Sequence, residues 1–127
     1  MSEKKIQDIS VDVETTYIPS SSDPDAARYV FAYSITIKNR GTKSAQLLSR
    51  HWVITDSNGK VQEVHGEGVV GEQPSLKPGE SYQYTSGAVI ETSIGAMQGS
   101  YEMIDESGKK FDAVINPFSL SPPRTLH

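Results

Sequence analysis

Alternation of side-chain character with a period of two is the feature of this sequence that most constrains its fold. Tyr29–Lys38 shows it most clearly, with an aromatic or β-branched residue at every odd position. Ile9–Tyr17 follows the same rule, with polar residues between its β-branched and aromatic positions. This spacing is typical of strands that bury one face, and no stretch has the 3.6-residue apolar stripe of an amphipathic helix. The chain is therefore predicted to be all-β.

Turn signals divide the rest of the chain into further strands. Asn58-Gly59 separates Gln46–Thr55 from Lys60–His65, and Asn-Gly between two β-rich segments is the strongest short-range hairpin signal. A three-residue loop in this hairpin would place His51 opposite His65, whereas a slip of one residue would separate them. Three more strands are predicted at Glu80–Ile90, Met97–Asp105 and Lys109–Ile115.

Seven to eight strands joined by hairpins and one long connection predict a two-sheet β-sandwich, immunoglobulin-like or fibronectin type III-like. The absence of cysteine removes the Cys-Trp-Cys pattern of antibody domains and favours the fibronectin type III-like topology. Trp52, on a central strand, is the predicted core anchor. The 127 residues suit a single domain, 1–127, with extended termini at about 1–8 and 119–127, the latter rich in proline.

Composition argues against several classes of function. The formal net charge of −4 lacks the basic excess of a nucleic-acid-binding protein. Without cysteine there is no thiol nucleophile, and the chain suits a reducing compartment. No apolar segment approaches the roughly 20 residues needed to span a bilayer, and no signal peptide is recognisable. No nucleophile elbow or catalytic carboxylate pair is evident. A cytoplasmic protein that is not an enzyme and has no membrane or nucleic-acid partner is predicted.

A glycine motif of the form GxGxxG occupies residues 66–71. A dinucleotide site needs this motif between a strand and a helix, because the phosphates bind at the helix N-terminus. Pro74 and Pro78 preclude such a helix, which favours a glycine-rich connection. Binding of a small anion, such as pyrophosphate or a nucleotide, in a nest of backbone amides remains an alternative. The candidate binding loop consists of Gly66, Glu67, Gly68, Gly71, Glu72, Gln73 and Pro74.

The three histidines are His51, His65 and His127. If His51 and His65 lie opposite each other, Glu63 or Glu67 is placed to add a carboxylate, and imidazole with carboxylate suits divalent transition ions. Two histidines on a sheet surface usually bind nothing, so no cofactor is predicted. His51 and His65 are retained as metal candidates.

A neighbouring candidate surface combines tyrosine, methionine and small residues in two later strands. Exposed tyrosine and methionine are typical of interfaces, whereas buried ones belong to the core. Strand alternation buries every second position, so both interpretations stay open. The residues concerned are Tyr84, Met97, Gln98 and Gly99.

Five sequence blocks, in this order, resemble the ApaG (CorD) family from about Ile9 to His127: RYVFAY, GEGVVGEQP, PGE, YTSG and MQGSYEM. The resemblance implies a fibronectin type III-like sandwich and a single ApaG domain. It also implies an association with cobalt resistance and magnesium efflux, and a protein-binding role like that assumed for related domains in F-box receptors. The family has no agreed catalytic residues, so none is assigned.

Three hypotheses follow. The leading one is a non-enzymatic cytoplasmic protein-interaction module that contacts an unidentified protein through a sheet edge or the Gly66–Pro74 loop. It would be a monomer, or a homodimer formed through an edge strand. The alternative is a binder of a small anion at Gly66–Gly71 or of a divalent cation near His51 and His65. An enzyme acting on dinucleoside polyphosphates is the third, from genomic neighbours of the family.

Overall fold

Eight strands account for most of the computed structural model, which describes residues 5–123. The all-β prediction is confirmed: residues 5–123 contain no α-helix, only two single 3₁₀ turns at Pro19–Ser21 and Pro24–Ala26. Within this range no helix is long and apolar enough to cross a membrane. The strands are β1 (Ile9–Tyr17), β2 (Tyr29–Asn39), β3 (Ala45–Asp56), β4 (Val61–Glu67), β5 (Ser75–Leu76), β6 (Ser81–Ile90), β7 (Gly95–Asp105) and β8 (Lys110–Leu120).

The strands form two antiparallel sheets with their apolar faces together. The smaller sheet has the order β1-β2-β6, and the larger has the order β4-β3-β7-β8, with the two-residue β5 paired to one end of β3. A three-strand sheet packed on a four-strand path in this order is the fibronectin type III-like sandwich that the strand pattern predicted. The strands at the edges of the two sheets are β1, β6, β4 and β8.

Trp52 lies at the centre of the core, as predicted, with 2% of its surface exposed. Its ring meets Tyr33, Tyr101 and Phe118 edge-on, at centroid distances of 5.4, 6.3 and 5.9 Å. Edge-to-face pairs at such distances add stabilisation beyond the burial of their area. The same cluster includes the inward residues of β2, namely Phe31, Tyr33, Ile35 and Ile37.

A bulge in β3 decides which side chains of this strand face outward. The register against β7 shifts between Leu47 and Ser49. Beyond the bulge, Trp52 and Ile54 are buried while His51 is only half-buried, on the opposite face. Because side chains alternate along a strand, one extra residue transfers the inward positions from odd to even numbers.

The β3–β4 hairpin closes as a three-residue loop, so of the two registers left open by the sequence the structure has the one that pairs His51 with His65. The C-terminal strand is longer than predicted. β8 continues past Ile115 to the buried Leu120, so Ser119 and Leu120 belong to a strand rather than to an extended terminus. A register shift between Met97 and Gly99 accommodates Pro117, which has no N–H to donate. Residues 1–4 and 124–127, with His127, lie outside the described range.

Candidate functional site

The glycine motif begins inside a strand and ends in a tight turn. Gly66 and Glu67 belong to β4, and the chain then turns back on itself at the Val69–Glu72 bridge. Two backbone hydrogen bonds close the turn: Val69 N–H donates to Glu72 O at 2.8 Å, and Glu72 N–H donates to Val69 O at 3.0 Å. We call residues 69–72 the Val70 turn.

Positive φ angles at both central residues define the conformation of the Val70 turn. They are 49° at Val70 and 79° at Gly71, the combination found in type I′ turns. Glycine and asparagine adopt such angles readily, whereas a β-branched side chain does so only under strain. Val70 is nevertheless 64% exposed, so burial and packing of its side chain do not offset the strain of this conformation.

The base of the Val70 turn is fixed to β3. Val69 is fully buried in the core, and the Gly68 N–H donates to Leu48 O at 2.8 Å. Arg50 Nη1 donates to the carbonyls of Glu67 and Gly68, at 3.1 and 3.0 Å. A Cβ at Gly66 would lie 2.6 Å from Arg50 Nη1, so this glycine makes room for the guanidinium. The Val70 turn is therefore held rigidly against β3.

The loop is poorly arranged for an anion. The N–H groups of Gly68, Val69 and Glu72 donate to backbone carbonyls and so are engaged within the fold. The carboxylates of Glu67 and Glu72 are exposed in the same loop and would repel a phosphate. As predicted, no helix follows the motif; the next element is β5.

Gln73 and Pro74 attach to β3 the segment that leads from the Val70 turn to β5. Gln73 Nε2 donates to Leu48 O at 2.9 Å, and the Leu47 N–H donates to Pro74 O at 2.9 Å. These bonds face the bulge of β3, where the strand's own ladder is interrupted. The loop therefore supplies partners to backbone groups that the bulge exposes.

Tyr84 and Met97 are core residues, which corrects the neighbouring surface proposed from the sequence. They are 8% and 1% exposed, because β6 and β7 turn these positions towards the opposite sheet. Gly99 is half-buried, and a Cβ on it would lie 2.0 Å from His51 O. Gln98 alone is exposed, in register with Val53 and away from the Val70 turn.

Tyr84 shares a buried hydrogen bond with Tyr101, their hydroxyl oxygens 2.5 Å apart. Burial raises the pKa of both phenols well above the ordinary value, and the charge of Arg50 opposes the rise. The hydrogen bonds of Arg50 itself go to the carbonyls of Glu67 and Gly68 under the glycine motif. Arg50 was not among the candidates drawn from the sequence, although the hairpin register that pairs His51 with His65 also pairs Arg50 with Gly66.

His51 and His65 meet on the outer face of the larger sheet. Their rings are stacked, with centroids 4.2 Å apart and planes at 9°. Glu63 joins them, with its Oε1 at 3.6 Å from His51 Nε2. One potential ligand atom from each of these three side chains lies within 4.8 Å of the others. Of the two carboxylates proposed from the sequence, Glu63 is the one in this group.

Comparisons with known proteins agree with this architecture along the whole chain. The model of the ApaG domain matches residues 19–105, more than half of the chain. The chain belongs to the ApaG family. ApaG proteins of Thiobacillus denitrificans and Nitrosospira multiformis are each 59% identical to it over all 127 residues of both proteins.

A solved ApaG-family structure has the same fold. The crystal structure of a Bordetella pertussis protein designated ApaA superposes with a TM-score of 0.94 at 49% identity, covering 97% of this chain and 100% of that one. The family resemblance read from the sequence is therefore confirmed. The names of these ApaG relatives state no reaction or ligand, so the function has to be argued from the site.

Proposed function

We propose that the chain is a non-enzymatic cytoplasmic protein-interaction domain whose contact with an unidentified protein centres on the Val70 turn. The observation that carries this proposal is the state of Val70: an apolar, β-branched side chain, largely exposed, at a positive φ. Strain of this kind costs on the order of 1–3 kcal/mol and concentrates at functional positions.

The support of the turn suits a binding role. Buried Val69, the Arg50–carbonyl hydrogen bonds and the backbone bonds of the turn hold the tip in one conformation. A preorganised contact loses little conformational entropy on binding. An exposed valine held on such a base can therefore enter a partner's apolar pocket without first being ordered.

The other hypotheses draw less support from this loop. Its engaged amides and flanking carboxylates disfavour an anion. The association with cobalt resistance and magnesium efflux is implied by the family resemblance alone, and an interaction domain can serve it through a partner. The hypothesis that the chain turns over dinucleoside polyphosphates is supported only by the genomic neighbours of the family.

The test compares partner capture by the wild-type chain, Val70→Asn and Val114→Asn. Asparagine tolerates positive φ, so Val70→Asn removes the apolar tip while keeping the turn. Val114 is a matched control, since it is 67% exposed on β8. After cross-linking in native cells, proteins retained by wild type and Val114→Asn but lost from Val70→Asn are the expected result.

Capture that is identical for all three chains would contradict the proposal. A partner that survives Val70→Asn but is lost from Val61→Lys would move the contact to the edge strand β4, where Val61 is exposed. A lysine on an edge strand opposes pairing with another strand. The same variant reports on the homodimer alternative, if sedimentation shows a dimer that Val61→Lys dissociates.

A further inference from the structure

We propose that the outer face of the larger sheet binds a transition-metal dication through His51, His65 and Glu63. This site is separate from the Val70 turn and does not depend on the interaction proposed there. It would add an ion-binding property to the domain.

The hairpin register brings the three ligands together. His51 on β3 lies directly opposite His65 on β4. Glu63 precedes His65 by two residues on the same strand, and residues two apart on a strand share a face. The register follows from the three-residue loop at Ser57–Gly59, so a local turn specifies which side chains meet at the metal site.

The distances suit coordination once the two stacked imidazoles turn, so that a nitrogen of each points at one ion. A tetrahedral zinc ion with Zn–N distances of about 2.0–2.1 Å separates its ligand atoms by about 3.4 Å. His51 Nε2 and Glu63 Oε1 are already 3.6 Å apart, and the full set lies within 4.8 Å. Glu63 and His65 are exposed, which leaves their side chains free to close on an ion.

His51 Nε2 supplies an independent indication. This nitrogen is closed off from solvent and has no hydrogen-bond partner among residues 5–123. A buried polar atom left unpaired costs on the order of 1–3 kcal/mol, so native structures rarely retain one. A metal ion between His51 and Glu63 would give the nitrogen a partner.

The electrostatics of the surrounding face favour a cation. The row of residues next to the histidines places Glu67, Ser49, Glu102 and Asp112 side by side across four strands. Glu102 and Asp112 are direct cross-strand neighbours, and like charges so placed destabilise a sheet.

These carboxylates and both histidines line one hollow of about 390 Å³. Arg50 also lines the hollow, but its guanidinium donates to the carbonyls of Glu67 and Gly68. A bound dication would lower the repulsion among the acidic groups around it. Both histidines thus border a negatively charged hollow, while Glu63 lies outside its lining.

The ligand set selects the class of ion. Two imidazoles with one carboxylate suit Zn²⁺, Ni²⁺ or Cu²⁺, whereas Mg²⁺ prefers oxygen ligands and retains its water. Binding should therefore resist a large excess of Mg²⁺.

Calorimetric titration of the untagged full-length chain with Zn²⁺ tests the site. Wild type should bind one equivalent, and His51→Gln combined with His65→Gln should weaken binding by about 100-fold or more. Glu63→Gln should weaken it by about tenfold. Two controls should stay within about threefold of wild type: His127→Gln, which removes the third histidine of the sequence, and Glu14→Gln, which removes an exposed carboxylate on β1 of the smaller sheet.

Fluorescence of Trp52, the only tryptophan, gives a second readout beside His51. Cu²⁺ should quench it in wild type but not in the double histidine variant, and excess Mg²⁺ should not restore it. Equal Zn²⁺ affinity in wild type and the double variant, loss of binding in His127→Gln, or displacement by Mg²⁺ would overturn the proposal. His65→Gln alone, at an exposed position, provides the comparison if the double variant does not fold.

Discussion

Three tight turns of this domain, those after Asp56 and Asp105 and the Val70 turn, fall into two contrasting kinds. The turns after Asp56 and Asp105 are built alike: in each, the aspartate Oδ1 accepts N–H groups from residues two and four positions later, at 2.9–3.1 Å. Both aspartates are buried, and each turn reaches its glycine, Gly59 or Gly108, three residues later. These residue types are the ones that such turns favour.

The Val70 turn has the opposite character. Its first central residue is a valine at positive φ, where asparagine or glycine is preferred, and the valine is exposed. Turns that only connect strands follow local preferences, and a turn that departs from them without gaining core contacts points to a function.

The largest effect on stability is expected at the base of the Val70 turn. Gly68 has φ 62°, and a Cβ there would lie 2.2 Å from Glu72 O. Gly68→Ala should therefore lower the free energy of unfolding by about 2–4 kcal/mol, measured by chemical denaturation. Gly71→Ala is the matched control, because Gly71 has φ 79° but nothing within 4 Å of an added Cβ. Its cost should be about 1 kcal/mol. Equal losses in the two variants would show that the base is not rigid.

A smaller effect is expected at the Asp105 turn, with a characteristic pH dependence. The pKa of Asp105 lies well below its ordinary value of 3.8, because its carboxylate accepts hydrogen bonds from Ser107 Oγ and Gln7 Nε2. Folding therefore favours the ionised form, and this contribution is complete above about pH 4 and is lost as the pH falls further. Asp105→Asn should be less stable than wild type at pH 7, and the difference should shrink below pH 4.

Asp12→Asn provides the control for that pH profile, since Asp12 is an exposed aspartate on β1 whose cross-strand neighbour is the uncharged Thr36. Its melting temperature should follow that of wild type throughout the titration. A stability difference between wild type and Asp105→Asn that stays constant below pH 4 would contradict the assigned role of the carboxylate.

Much of the fold could be predicted because most strands bury one face. The alternation in Ile9–Tyr17 predicted the bounds of β1 as observed, and Asn58-Gly59 predicted the β3–β4 hairpin, although its register stayed open until the structure showed a three-residue loop. The predicted end of β8 at Ile115 was wrong. Pro117 suggested that the strand ends before it, whereas a local register shift lets the strand continue past this proline. The two-residue β5 has too few residues to show a periodicity.

The candidate sites were less predictable. Alternation shows that every second residue is buried without showing which set faces the core, so Tyr84 and Met97 were retained as surface candidates although both are buried. The conformation of Val70 was unpredictable in principle, because a β-branched residue is among the last expected at positive φ. The cross-strand histidines were predictable once the loop length was assumed.

The free energy of unfolding of Val70→Asn tests most directly whether Val70 serves binding to a partner rather than the stability of the fold. Asparagine relieves the strain of the positive φ, and the valine makes no buried contact that would be lost. We predict that chemical denaturation will show Val70→Asn to be more stable than wild type by about 1 kcal/mol. A variant less stable than wild type would mean that Val70 serves the fold, and would contradict the account.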